Sequence, residues 1–281
     1  MNEIIYISDL FSSDILGGGE LNDRELLLML EEKGHRVTRL RSQNVTMEFL
    51  QKKSNCFFII SNFILVNKSC MKFIEDNCKY CIYEHDHKYM ITRNPAMYKD
   101  FKCPDNELIN ASLYERARRI FCQSSFHQKI INKNLNLKNT SNLSGNVWSI
   151  ESLAFMRQIS NEEKNDGYSI LNSPIGHKNV SAAIKYCTAK NKNYKLVSSK
   201  QYQDFLRQLG SQSGFIFMPL SPETLSRVVV EARMMNMAVV SNKNVGATYE
   251  PWFKLKGEKL IDYMTTKREE ICDKILEAIN E

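Results

Sequence analysis

The sequence predicts an α/β fold of two Rossmann-like halves facing a central cleft, and three observations predict it. Short β-rich runs alternate with helical patterns from one end of the 281-residue chain to the other. Gly17, Gly18 and Gly19 stand between the first strand pattern and the first helix pattern. The alternation then stops at a polar, asparagine-rich tract, Asn132 to Asn146, and restarts beyond it. Strands alternating with helices imply parallel sheets covered on both faces. A pattern that restarts implies two such units, with the cleft at the carboxyl ends of their strands.

Each element follows from its residues. IIYIS (4–8) is a short apolar run suited to a buried strand. The next segment reads as a helix from Glu20 to Gly34: Leu21, Leu28 and the run Leu26 to Leu30 form an apolar face, acids cluster near its start, and Gly34 ends it. HRVTRL and NCFFIIS are strands, a helix is expected near 69–77, and YCIYE and RIFCQS complete the first sheet. In the second half the strands are YSILNS, YKLVSS, GFIFMPL and MAVVSN. Between them lie helices at about Lys178 to Lys190, Gln201 to Leu209 and Pro222 to Asn236, and a last amphipathic helix runs from Lys267 to Glu281. The expected domains are 1–145 and 146–266, followed by the helix 267–281.

Composition narrows the class. The chain is 43% hydrophobic and 25% charged, and carries a formal charge of +6, which excludes disordered and fibrous proteins. Cys56 to Val66, the most apolar stretch, falls short of the roughly 18 to 20 residues of a membrane span. The N-terminus lacks a basic and then apolar leader, so a cytoplasmic protein without a membrane span is expected. The eight cysteines lie mostly in apolar segments, as reduced, buried thiols do. Cys78 and Cys81 have redox or zinc spacing but no second ligand pair at comparable spacing.

Three stretches carry candidate chemistry. SPETLSRVVVEARMMNMAVVSN (221–242) reads as a capped helix: Ser221 as N-cap, Pro222 at the first helical position, Glu223 in the first turn. On one helix Glu231 would lie about 12 Å further along the axis. The plain alternative pairs Glu223 with Arg227 and leaves Glu231 on the surface, but Glu231 is embedded in apolar sequence, where an unpaired charge is costly. Gly17 to Gly19 let backbone amides approach a phosphate or sugar oxygen at a helix start. YEHDHKYMITRNP places His85, Asp86 and His87 after a strand, with Arg93 close behind. His85 and His87 alone are two metal ligands without a third.

Glu223, seven residues, Glu231, then alanine and a following strand resemble the signature of the family 4 glycosyltransferases of the GT-B fold. The resemblance extends over nearly the whole chain, through Gly18 and Gly19, the histidines after the YCIYE strand, and Lys178. It implies a retaining transferase that moves a hexose from a nucleotide diphosphate sugar, UDP-glucose by family frequency, with no metal and no further cofactor. In that reading His85, His87 and Glu223 are catalytic, and Gly18, Gly19, Lys178, Arg227 and Glu231 bind the sugar donor. Asp86 and Arg93 meet the acceptor. One element departs: the family pairs its lysine with an upstream arginine, and this chain has none between Arg157 and Arg207, leaving Arg227 or Arg93 to substitute.

The compact, basic, Lys/Asn-rich chain is also similar to the small transferases of T-even-type phages. That implies modified double-stranded DNA, with sugar-bearing hydroxymethylcytosine, as acceptor. Arg36, Arg39, Arg41, Lys52 and Lys53, or Arg116, Arg118 and Arg119, are the clusters that could meet phosphates. A cell-surface or soluble glycan is the alternative acceptor. A non-catalytic nucleotide-sugar or nucleic-acid binding protein is the alternative class, and the missing arginine is its support.

Overall fold

Continuous apolar runs suit strands covered on both faces, and the computed structural model, which describes residues 3–281, uses them that way. β1 (Ile4–Ser8) and β3 (Phe57–Ile60) bury every residue. With β2 (Val37–Arg41), β4 (Lys79–Tyr83), β5 (Ile120–Cys122) and β6 (Thr140–Asn142) they form a six-stranded parallel sheet ordered β2-β1-β3-β4-β5-β6. A second parallel sheet, ordered β10-β9-β7-β8, contains β7 (Asn165–Leu171), β8 (Tyr194–Val197), β9 (Gln212–Phe217) and β10 (Ala238–Ser241). The chain passes from the first sheet to the second between Asn142 and Ile150.

Helices cover both sheets. The first half carries α1 (Gly18–Glu32), α2 (Met47–Lys53), α3 (Lys68–Asn77), α4 (Ala111–Arg116) and α5 (Ser125–Leu135). The second carries α6 (Ile150–Ser160), α7 (Val180–Ala189), α8 (Tyr202–Gly210) and α9 (Arg227–Met234). The last helix, α10 (Glu258–Asn280), begins nine residues before the expected start at Lys267. Its first turns put Leu260, Ile261 and Met264 into the second-half core. Its later turns put Ile271, Ile275 and Ile279 against Ile4 and Tyr6 of the first. One apolar stripe at a four-residue spacing thus braces both halves, and Arg118 ties its end by donating to the carbonyls of Ala278 (2.8 Å) and Ile279 (3.0 Å). No helix among the described residues is long and apolar enough to cross a membrane.

Two differences from the expected elements have physical causes. β6 and α6 lie in and just beyond the polar tract; β6 is a three-residue edge strand whose residues are only partly buried, so it needs no apolar run. The helix expected from Pro222 starts at Arg227 instead. Residues 223–225 pair alongside 244–247: Glu223 N–H donates to Asn244 O (2.7 Å), Gly246 N–H to Glu223 O (3.0 Å) and Ala247 N–H to Leu225 O (2.9 Å). Ser226, in the left-handed region at φ 72°, then turns the chain into α9. A side chain at Gly246 would meet Thr224 O at 2.3 Å, so this approach requires glycine.

Candidate active site

The cleft opens at the carboxyl ends of both sheets and holds two cavities that share Lys178 and Glu223. The first, 400 Å³, is lined by segments following β1, β7, β8 and β9, among them Gly17, Gly18, Lys178, Tyr202, Ser226 and Glu231. The second, 580 Å³, runs from the segment after β4, with His85, Asp86 and Arg93, across to His177, Lys178 and Glu223.

Two helix starts meet at the first cavity. α1 begins directly after Gly17, with no N-cap side chain, and carries the Glu20 carboxylate in its first turn. α9 also begins without a side-chain cap, and the buried Ser226 hydroxyl has no hydrogen-bond partner. Lys178, from the short turn after β7, donates to Glu223 Oε1 (2.8 Å), both side chains being mostly buried. Backbone amides, two positive helix ends and an ammonium group are groups that favour an anion such as a phosphate.

Glu231 stands in the wall of this cavity, 2% exposed. Its Oε1 accepts from Arg227 Nε (3.0 Å), Trp148 Nε1 (3.0 Å) and Tyr202 OH (2.5 Å). The Arg227 guanidinium lies 4.4 Å over the Trp148 ring and also donates to Val147 O (2.6 Å). Glu231 is therefore neither on the surface nor unpaired. Because α9 starts late, Glu223 and Glu231 do not lie on one helix, and the expected 12 Å axial spacing does not describe them.

The two histidines after β4 separate. His85 faces α1: its Nε2 meets Asp23 Oδ1 (2.6 Å) and its Nδ1 meets the Gln123 amide (2.8 Å), so both ring nitrogens are engaged. A side chain at Gly19 would come within 3.3 Å of that ring, a tight contact that would press on it. His87 turns into the core: it is 2% exposed, its Nδ1 meets Tyr89 OH (2.9 Å), and burial lowers its pKa to about 4. Pointing apart, the two rings do not form a metal-binding pair. Asp86 bonds Arg93 (2.9 Å) and Lys88 (3.1 Å) in the wall of the second cavity. Burial pushes the Cys78 thiol up to about 11 and the Cys81 thiol up to about 12, so neither offers a thiolate near neutral pH.

Asp23, Gln123, Trp148, Tyr202 and His177 were not singled out by the sequence. Asp23 had a signal: it stands three and four residues before Leu26 and Leu27, on the buried face of α1. Burial alone would raise its pKa, but the His85 charge and hydrogen bonds from His85 and Ser61 hold it below the usual aspartate value. Burial would likewise lower His85, but Asp23 holds it above its ordinary value. The His85 contribution to stability is thus complete below the unfolded histidine pKa and fades as pH rises through the higher folded value. Denaturant unfolding of the native protein and Asp23→Asn is expected to show a wider stability gap at pH 5.5 than at pH 9; an equal gap would mean that His85 is not held by the Asp23 charge.

No family model and no curated protein matches the chain. Solved structures do. An alpha-glucosyltransferase in complex with UDP and a 13-mer DNA containing an HMU base superposes with a TM-score of 0.53 at 12% identity, over 100% of both chains. The catalytic domain of starch synthase IV from Arabidopsis thaliana, bound to ADP and acarbose, gives 0.61 at 10% identity, over 99% of this chain and 95% of that one. The fold is GT-B. Anabaena HepE in complex with UDP and glucose adds a TM-score of 0.52 at 13% identity, over 99% of this chain and 92% of that one. At such identities the likeness speaks for the GT-B architecture, two Rossmann-like halves and a cleft, and the chemistry must be argued from the cleft itself.

Proposed function

We propose that this protein is a retaining glycosyltransferase that moves a hexose, glucose in the first instance, from a nucleotide diphosphate sugar such as UDP-glucose to a hydroxyl acceptor. The observation that carries this reading is the convergence of two uncapped helix starts and Lys178 on one cavity of the cleft. Those groups neutralise a diphosphate and stabilise the charge it gains on leaving, in the place a metal ion would take. Glu223, the partner of Lys178, receives the hydroxyls of the transferred sugar. Glu231 receives the ribose, Gly18 and Gly19 bring α1 close to the phosphates, and Arg227 supplies the second positive charge in the absence of an upstream arginine. The similar structures bound to UDP, to UDP and glucose, and to ADP support a nucleotide in this cavity. His85, fixed by Asp23 and Gln123, walls the sugar position and reaches a bound sugar by exchanging its Gln123 contact.

For the acceptor, sugar-bearing hydroxymethylcytosine in double-stranded DNA is supported by the similar structure solved with DNA, with Asp86 and Arg93 facing the accepting sugar. A glycan acceptor is favoured by a separate observation. The cations expected to meet DNA phosphates are largely paired: Arg39 with Glu31, Lys52 with Glu48, Lys53 with Glu3, Arg116 with Asp76 and Arg119 with Glu281. Arg116 to Arg119 precede β5 and so lie at the end of the sheet away from the cleft. At the second cavity, the exposed Met97 takes part in the lining instead.

The test is UDP release from UDP-glucose with no acceptor, with simple saccharides, with unmodified DNA and with glucosylated hydroxymethylcytosine DNA. Transfer is expected to fall about a hundredfold in Glu223→Gln, the scale for losing one preorganised polar contact to the transition state. Release that rises only with the modified DNA selects the DNA acceptor, and release with saccharides selects the glycan. UDP binding without release in any arm selects the non-catalytic binding protein.

A further inference from the structure

Beside the second cavity lies a third, of 500 Å³, formed by the segments that follow β3 and β4 and by the start of α4. Phe63, Val66, Met90 and Leu113 are the buried part of its wall, and Ile64 and Ile91 are exposed along it. Arg93 lines both cavities, so the two spaces adjoin at that side chain. The apolar exposure continues past the opening. Asp9, after β1, accepts from the Ile64 and Leu65 N–H groups (3.3 Å each), which holds the exposed Leu10 beside the exposed Leu65. Single exposed apolar side chains are ordinary, whereas a contiguous patch leading into a cavity marks a place for an apolar partner.

The polar side chains of this wall are largely occupied among themselves. Ser112 Oγ donates to Glu75 Oε2 (3.0 Å) and Lys72 Nζ to Glu75 Oε1 (3.0 Å). Lys88 is held by Glu84 and Asp86, Arg93 by Asp86, and Asn110 Nδ2 donates to Lys88 O (3.0 Å). Lys68 is exposed at the start of α3 and has no side-chain partner among the described residues. A further sugar would have to find free donors and acceptors here, since a polar group taken from water without partners is costly. A nucleic acid would find one unpaired cation for its phosphates. What the wall offers in quantity is apolar surface, and covering it with a hydrocarbon releases water at a gain in free energy.

Resting on the transferase reading above and on its glycan acceptor, we propose that the third cavity binds the apolar aglycone of the acceptor. The accepting sugar lies in the second cavity, between Arg93 and Glu223, and an alkyl chain on that sugar passes Arg93 into the space between Ile64, Ile91 and Leu113. The preferred acceptor is thus an alkyl or acyl glycoside, with Leu10 and Leu65 covering what the cavity does not hold. The apolar subsite is separate from the bond-making groups: it changes how tightly the acceptor is held and leaves the displacement at the anomeric carbon as it is.

The experiment measures transfer from UDP-glucose to methyl α-glucoside, hexyl α-glucoside and glucosylated hydroxymethylcytosine duplex, with glycoside and UDP affinities by calorimetry. Each methylene fully removed from water is worth about fourfold in affinity, so burying only two gives a KM roughly tenfold or more lower for the hexyl than for the methyl glycoside. Ile64→Asn and Ile91→Asn change side chains that are 48% and 60% exposed, so both variants are expected to fold and to bind UDP within twofold of the native protein. In each, the ratio of methyl to hexyl KM should fall toward one. Equal KM values for the two glycosides in the native protein overturn the proposal, as does a ratio that survives in both variants. Transfer to the duplex that weakens in the variants, with no gain from the hexyl chain, gives the cavity to a nucleobase and overturns it too. A native protein that binds UDP but transfers to no acceptor overturns the transferase reading; the calorimetric preference for hexyl over methyl glucoside, lost in Ile91→Asn, then still upholds the apolar site, and its absence removes that as well.

Discussion

Lys88→Met is expected to destabilise the protein by about 3 to 5 kcal/mol, the scale for removing one member of a buried ion pair and leaving its partner charged. Lys88 is 2% exposed and Glu84 0%. The ammonium donates to Glu84 Oε1 (2.6 Å) and Asp86 Oδ1 (3.1 Å). Burial would lower the Lys88 pKa, but the two carboxylates hold it above its ordinary value. Burial also pushes the Glu84 carboxyl upward, and the Lys88 charge is the first thing opposing that rise. Methionine of similar length removes the charge and leaves Glu84 with the Tyr114 hydroxyl and the Asp86 amide alone.

Without Lys88 the Glu84 carboxyl rises further, so protonation relieves the strain. Urea unfolding should show the loss at pH 7 shrinking toward pH 5, and Glu84→Gln added to Lys88→Met should restore most of it, the coupling expected of groups in contact. A single-variant loss under about 1 kcal/mol, the range of exposed pairs, would show that the pair does not hold the segment after β4. The consequence reaches the cleft, because that segment also carries Asp86 and Arg93.

The same segment shows what sequence could and could not tell. Strands were legible because a parallel strand covered on both faces is an uninterrupted apolar run, as FFII and YCIY are. His85 and His87 were legible as a pair with chemistry but not in their directions. Residues two apart share a face only on a strand, and β4 ends at Tyr83, so one ring turns to Asp23 and the other to Tyr89. The capping pattern Ser221-Pro222-Glu223 was complete, yet pairing with 244–247 overrode it; local signals lose where the chain finds hydrogen bonds across the fold. The basic clusters were visible while their neutralising acids were not, since Arg119 meets Glu281 from 162 residues away. Likewise the burial of Glu231 could be suspected from its apolar neighbours, but its partners Trp148 and Tyr202 come from 83 and 29 residues away.

Glu231→Leu is expected to lose about 3 to 5 kcal/mol of stability, again the scale for orphaning a buried charge. One carboxylate oxygen accepts from the Arg227 guanidinium, the Trp148 indole and the Tyr202 hydroxyl, and Arg227 is itself 7% exposed. Leucine strands all three donors, and only Val147 O and the Trp148 face remain for Arg227. Glu231→Gln keeps an oxygen in place and loses the charge, so a smaller loss of about 1 to 2 kcal/mol follows, the difference between charged and neutral hydrogen bonds. Because Gln folds, it separates the structural duty of Glu231 from the ribose contact proposed for it. All three protein donors reach Oε1, and the ribose hydroxyls fall to the other oxygen. The native protein should bind UDP more tightly than 2′,3′-dideoxy-UDP, and Glu231→Gln should abolish the preference as its affinity for UDP falls about tenfold, worth 1.4 kcal/mol. If the preference survives in Glu231→Gln, Glu231 serves only to hold Arg227, Trp148 and Tyr202 in the cavity wall, and the ribose must be read by another group there, the unpartnered Ser226 hydroxyl being the nearest in kind.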